Sequence, residues 1–135
     1  MNVPLITATY AAVLALLYAV LSLQVVRLRR SNRVGFGDGG NTALRGAIRA
    51  HAHFAEYVPI IVLMAAMHEM SGLAAAWIHV LMGALLVARL LHPLGMHAKP
   101  GTLQFTVGRV GGMVVTTVVM VSCALLILGR SLLGN

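Results

Sequence analysis

The residues best suited to chemistry lie on one stripe near the start of the chain's second apolar segment. The stripe consists of Arg45, Arg49, His53, Glu56 and Ile60, at spacings of four, four, three and four residues. On an α-helix these spacings place side chains along one face. Two guanidiniums, an imidazole and a carboxylate are costly in apolar surroundings, so they need a partner helix or an aqueous cavity. We therefore look for function at this stripe.

The elements that must position the stripe are long and apolar. The chain has 135 residues, 59% of them hydrophobic, and its mean hydropathy of +0.90 is far above that of soluble proteins. The chain contains apolar runs of about 20 residues, the length that crosses a bilayer. We expect them to be helices, because the strands of a membrane barrel would alternate apolar and polar residues. The sequence predicts one all-α integral membrane domain over residues 1–135, a four-helix bundle. The expected helices are 5–26, 42–70, 73–92 and 107–129.

Charged residues predict how the bundle is oriented. The net charge is +7, and the arginines between the first two runs are Arg27, Arg29, Arg30, Arg33 and Arg45. By the positive-inside rule this loop is cytoplasmic, so both termini face the outer side. Such a cluster is more typical of a topogenic, phospholipid-facing patch than of nucleic-acid binding, and no nucleic acid is expected as a partner. The first run lacks a basic region before it and a cleavage pattern after it, which favours a span over a signal peptide.

The length of the second helix predicts how deep in the membrane the stripe lies. From Thr42 to Met70 the helix would be about 43 Å long, whereas the hydrocarbon core is about 30 Å thick. With Met70 at the outer boundary, Arg49 lies near the inner boundary and can extend toward water. Glu56 would lie about 8 Å inside the hydrocarbon, so we expect it to have a protein partner.

Two further helices bring polar groups to the same depth. Arg89 and His92 end the third helix, and Arg109 begins the fourth. Two interpretations follow. Glu56 could pair with Arg89 or Arg49 and lock the bundle, or the groups could form a binding site, and residue spacing alone does not choose between them.

Cysteine and metal chemistry are poorly supported by the sequence. Cys123, the single cysteine, lies about 21 Å along the fourth helix from Arg109, toward the opposite leaflet. It cannot serve the polar cluster as a nucleophile, so any thiol there must come with a ligand. His51 and His53 are two apart and face different ways on a helix, and no further ligand completes a metal spacing. We expect no metal site.

Two motifs resemble those of the MAPEG family, the membrane-associated proteins in eicosanoid and glutathione metabolism, and specifically its small bacterial branch. The first is the family pattern Arg-Ala-x-x-Asn-x-x-Glu-Tyr-x-Pro, which reads RAHAHFAEYVP over residues 49–59. The second is Ala-Arg-x-x-His/Tyr, present as ARLLH over residues 88–92. The resemblance covers almost the whole chain, including the four helices and the basic first loop.

The resemblance implies a homotrimer in the bacterial inner membrane, with glutathione as co-substrate between neighbouring subunits, facing the cytoplasm. The residues that it implies for glutathione binding are Arg49, His53, Glu56, Tyr57, Arg89 and His92. Arginines can clamp the two glutathione carboxylates, and Glu56 can accept from the ammonium. The arginine that activates the thiol corresponds to Arg109 only if the loop before the fourth helix is longer here by about four residues.

Two departures from the family pattern alter the implied pocket. His53 stands where asparagine is usual, and Met96 stands where several eukaryotic members have tyrosine. The function implied is glutathione-dependent transfer or peroxidase chemistry on a lipophilic electrophile taken from the membrane. The alternative is a non-catalytic ligand-binding or scaffold protein of the same fold, in which Arg/Glu pairs hold the trimer together. A transporter is less favoured because the outer leaflet is nearly bare of polar residues.

Overall fold

The computed structural model describes residues 3–133, and four long helices dominate this range. They are α1 (Leu5–Asn32), α2 (Thr42–Met70), α3 (Ala75–Met96) and a fourth that begins as a π-helical segment (Phe105–Gly111) and continues as α4 (Gly112–Leu133). Each is long and apolar enough to cross a membrane, and residues 3–133 contain no strand. The predicted all-α, four-helix membrane fold is confirmed.

Three helices extend further than apolarity alone indicated, toward the end of the bundle that carries the α1–α2 loop. α1 continues to Asn32 instead of residue 26, and α3 continues to Met96 instead of residue 92. The fourth helix begins at Phe105, two residues before the expected start. Apolar runs mark the hydrocarbon-facing length, whereas the helical hydrogen bonds continue into the polar region until a capping residue ends them.

The loop between α1 and α2 is built from turn residues that position the start of α2. The Asn41 side chain accepts a hydrogen bond from the Leu44 amide at 2.9 Å and so caps α2. Asp38 accepts from the Gly40 amide at 2.9 Å and forms an ion pair with Arg45. The Arg45 guanidinium lowers the pKa of the Asp38 carboxyl, so this contact is present at neutral pH.

At the opposite end of the bundle, α2 caps α1. The two Glu69 carboxylate oxygens accept from the backbone amides of Ile6 at 2.9 Å and Thr7 at 2.8 Å. Pro4, at the N-cap of α1, provides no side-chain cap. Glu69 therefore satisfies amides that begin α1 and would otherwise lack acceptors.

Close backbone contacts hold α3 against the π-helical segment. A Cβ atom added at Gly95 would lie 2.1 Å from the Arg109 backbone nitrogen, and one added at Gly108 would lie 2.8 Å from the Gly95 Cα. A Cβ added at Gly112 would lie 3.2 Å from the Cβ of His92. Only glycine permits this approach, which brings the backbone of Arg109 beside the inner end of α3.

We expect Glu69→Gln to lower the free energy of unfolding by about 1–2 kcal/mol, because a charged cap for two amides is replaced by a neutral amide. Detergent-solubilised protein unfolded by heat or denaturant gives the measurement. Thr9→Ala is the matched control, since it removes only an exposed hydrogen bond to the Leu5 carbonyl in the same helix. Equal stability of Glu69→Gln and the parent would contradict the capping role.

Candidate functional site

A continuous hydrogen-bonded chain joins α2 to α3 at the end of the bundle that carries the α1–α2 loop. Arg49 Nη2 lies 2.7 Å from His53 Nε2, and His53 Nδ1 lies 3.1 Å from His92 Nε2. The two imidazole rings stack with their centroids 5.3 Å apart. The Tyr57 ring meets His53 edge-on at 6.3 Å. Four residues that the sequence singled out are thus brought together.

The chemistry of the guanidinium fixes the direction of these hydrogen bonds. Arginine can only donate, so His53 Nε2 must accept. Neutral His53 then has its proton on Nδ1 and donates to His92 Nε2, which leaves neutral His92 protonated on Nδ1. That nitrogen is buried and has no hydrogen-bond partner among residues 3–133. The hydrogen-bonded chain therefore ends at a donor that is enclosed within the bundle.

Arg89 is a buried cation one helical turn before His92 on α3. Its side chain is only 1% exposed, and its Nη2 donates to the Thr116 hydroxyl and, at 3.3 Å, to the Gly112 carbonyl. Its Nε and Nη1 have no partner within the described chain. Neutral oxygens compensate only part of the cost of burying a guanidinium. Arg89 thus faces the α3–α4 interface, away from the Arg49 contact.

Glu56 has no partner within the described residues. Of the three acidic side chains, Asp38 pairs with Arg45 and Glu69 caps α1, while Glu56 is exposed on the surface of α2. An ion pair of Glu56 with Arg49 or Arg89, one of the two interpretations that the sequence left open, is not formed among residues 3–133. Arg49 instead donates to His53, and Arg89 is turned toward Thr116.

Arg109 lies on the π-helical segment with its side chain exposed. Its guanidinium carbon is 5.3 Å from the centre of the Phe105 ring, within the range of a cation–π contact. Single π-helical turns often occur at functional sites because the wider turn moves side chains and carbonyls out of α-helical register. The backbone of Arg109 is held against Gly95, so its position relative to α3 is well defined.

Sequence reasoning missed Thr116, and it assigned no contact to His51. The Thr116 hydroxyl accepts a hydrogen bond from the buried Arg89. In the sequence, the only indication of this role was a polar residue in an apolar helix, four positions after Gly112. His51 turns to α1, where it lies 3.1 Å from Ser22 Oγ and stacks on Tyr18 at 4.6 Å. We expected His51 and His53 to face different ways, and this prediction is confirmed.

Comparison with known proteins identifies the family. The MAPEG family model matches residues 7–129. The chain is also 41% identical over 95 residues to the "Inner membrane protein YecN" of Escherichia coli strain K12, covering 70% of this chain and 72% of that protein. The same figures apply to the protein of that name in Escherichia coli O6:H1. No solved structure gives a significant match.

The chain therefore belongs to the MAPEG family. The four candidate spans and the inner-membrane relatives together make it a multi-pass inner membrane protein. The helix-two and helix-three motifs that indicated the family lie within the matched range, residues 7–129.

The hydrogen-bond chain predicts unusual histidine tautomers, which nitrogen-15 NMR of the histidine rings can measure at a pH where they are neutral. His53 and His92 are both expected to carry the proton on Nδ1. His68 is the internal control, because its Nε2 lies 2.9 Å from the Cys123 carbonyl and must donate to it. His53→Phe should abolish the preference of His92 for Nδ1. Nε2 protonation of His92 in the parent would contradict the chain as described.

Proposed function

We propose that this protein binds glutathione at the inner end of the bundle and uses its thiol in a transferase or peroxidase reaction on a lipophilic electrophile. The proposal rests on one observation, the complementary set of charged groups left without ionic partners there. Arg49, Glu56 and Arg109 are exposed and form no ion pair among residues 3–133. Glutathione carries two carboxylates and one ammonium, which match two guanidiniums and one carboxylate.

Glu56 supports assembly into a homotrimer with the ligand between subunits. On a single chain its carboxylate would face lipid about 8 Å inside the expected inner boundary, where an unpaired charge is costly. A neighbouring subunit with its ligand would remove this cost. In the orientation that the basic first loop favours, the cluster opens to the cytoplasm, which supplies glutathione, and both termini lie outside.

The chemistry that we propose needs no nucleophile from the protein. Cys123 is fully buried, in the half of the bundle where α2 ends at Met70, and its carbonyl accepts from His68. Arg109 would stabilise the thiolate of bound glutathione electrostatically. Holding the thiol beside a substrate delivered by the lipid would provide the remaining rate enhancement.

The first test is the melting temperature of detergent-purified protein measured against glutathione concentration. A ligand that binds the folded state must raise the melting temperature, by the equivalent of about 2.7 kcal/mol at 100 times its dissociation constant. Arg49→Ala and Glu56→Gln are expected to weaken this shift. Arg130→Ala, at the opposite end of the bundle, is the control and should keep it. An unchanged melting temperature in the parent would overturn the glutathione site.

We expect Arg109→Ala to lower kcat with an electrophilic substrate about 10²–10³-fold, because an electrostatic stabiliser of the developing charge is lost. The dissociation constant of glutathione should change much less. Steady-state kinetics and a binding isotherm on the same preparation separate the two effects, and Arg109→Lys should retain part of the activity. A loss of the same size in kcat and in affinity would contradict the activating role.

A second candidate function, that of a non-catalytic scaffold protein, is favoured by the contacts of Arg89 on α3 and of Arg109 on the π-helical segment. Arg89 bonds to Thr116 and Gly112, and Arg109 stacks on Phe105, so contacts within the chain hold both side chains. A non-catalytic scaffold would use Glu56 for assembly alone. In that case Glu56→Gln would dissociate the oligomer in detergent, and glutathione would leave the melting temperature unchanged.

A further inference from the structure

An open groove at the inner end of α1 is lined by three arginines that the glutathione proposal does not use. Its volume is about 360 Å³, and its lining residues are Val26, Arg29, Arg30, Arg33, Val34 and Gly35. Residues 26, 29, 30 and 33 recur at helical spacing, so they share one face of the end of α1. The apolar members border the cationic ones, which gives the groove an amphipathic lining.

The backbone at Arg33 is unusual for the end of a helix. The amide of Arg33 donates to the Arg30 carbonyl and the amide of Val34 to the Arg29 carbonyl, the two bonds of a Schellman motif. Arg33 occupies the left-handed position of this motif, with φ of 54°, where glycine or asparagine is usual. It is the one non-glycine residue with positive φ among residues 3–133. A left-handed backbone conformation is strained for a residue other than glycine, and such strain is commonly retained where the residue has a function.

No carboxylate balances this charge within the described residues. The salt bridge formed there joins Arg45 to Asp38 and includes none of the groove arginines. Arg29 Nη1 donates to the Gly37 carbonyl at 2.9 Å, which holds the glycine-rich loop against the groove. Adjacent guanidiniums repel one another, so an anion between them would stabilise their arrangement.

The position of the groove along α1 indicates which anion is present there. The 28 residues of α1 span about 42 Å, of which the hydrocarbon core accounts for about 30 Å, or about 20 residues. With Leu5 at one boundary, Arg29 to Arg33 lie about 6–12 Å beyond the other. This is the depth of lipid phosphates. Phe36, which follows the groove, is 97% exposed and can insert its ring at the membrane interface.

We propose that this groove binds the phosphodiester headgroup of an anionic phospholipid, with Phe36 in the interface beside it. Guanidiniums bind phosphate through paired N–H donors, and the apolar rim contacts the start of the acyl chains. The site goes beyond the glutathione proposal, since it uses different residues. The strain at Arg33 then has a function, because it directs a third arginine to the headgroup.

The test compares binding of phosphatidylglycerol and phosphatidylcholine to the full chain in detergent, by native mass spectrometry. The parent is expected to prefer phosphatidylglycerol about tenfold or more, since each arginine near the surface contributes about fivefold. Replacing Arg29, Arg30 and Arg33 with Gln should remove this preference. The matched control replaces three cations elsewhere, Arg27, Lys99 and Arg130, with Gln and should keep it.

A single substitution separates lipid binding from folding. Arg33→Gly should raise the melting temperature in zwitterionic detergent, because glycine adopts the left-handed conformation freely, while weakening phosphatidylglycerol binding about fivefold. Inorganic phosphate is the third arm. Phosphate that competes fully with phosphatidylglycerol at equal concentration would identify a free-anion site and overturn the lipid proposal. Equal loss of preference in the matched control, or no preference in the parent, would also overturn it.

Discussion

The absence of water from the bilayer core governs how this protein uses its few charged residues. Two of its three carboxylates are satisfied inside the chain, one by Arg45 and the other by the amides that begin α1. Glu56 has no such partner among residues 3–133, and the buried Arg89 has only neutral ones. Because an uncompensated charge is costly in an apolar medium, this end of the bundle is where we propose that a ligand and a second subunit bind.

The geometry of that end depends on the contact between α3 and the fourth helix. The Gly95–Gly108 approach brings the two backbones together, and the π-helical turn begins the fourth helix with Arg109 on its outer surface. α3 then carries His92 toward α2 and Arg89 toward α4. One helix thereby links both neighbours through adjacent polar residues, so a displacement of α3 would alter both contacts at once.

Much of the fold follows from the sequence because hydrocarbon thickness sets the length of each apolar run. The number of spans, the bounds of the second helix, and the convergence of Arg49, His53 and His92 were all predictable from spacing and depth. The partners of Arg89, and the lack of a partner for Glu56 among residues 3–133, were not predictable. They depend on helix rotation, which is set by glycine contacts and a π-helical turn that no apolar periodicity reveals.

The cap that Glu69 provides for α1 has a consequence for the order in which the chain enters the membrane. The two amides that it satisfies belong to residues 6 and 7, whereas the carboxylate is synthesised more than sixty residues later, at the far end of α2. Until α2 has crossed, the first turn of α1 has no side-chain acceptor from within its own helix. The hairpin of α1 and α2 is therefore the smallest unit in which a side chain caps the start of α1.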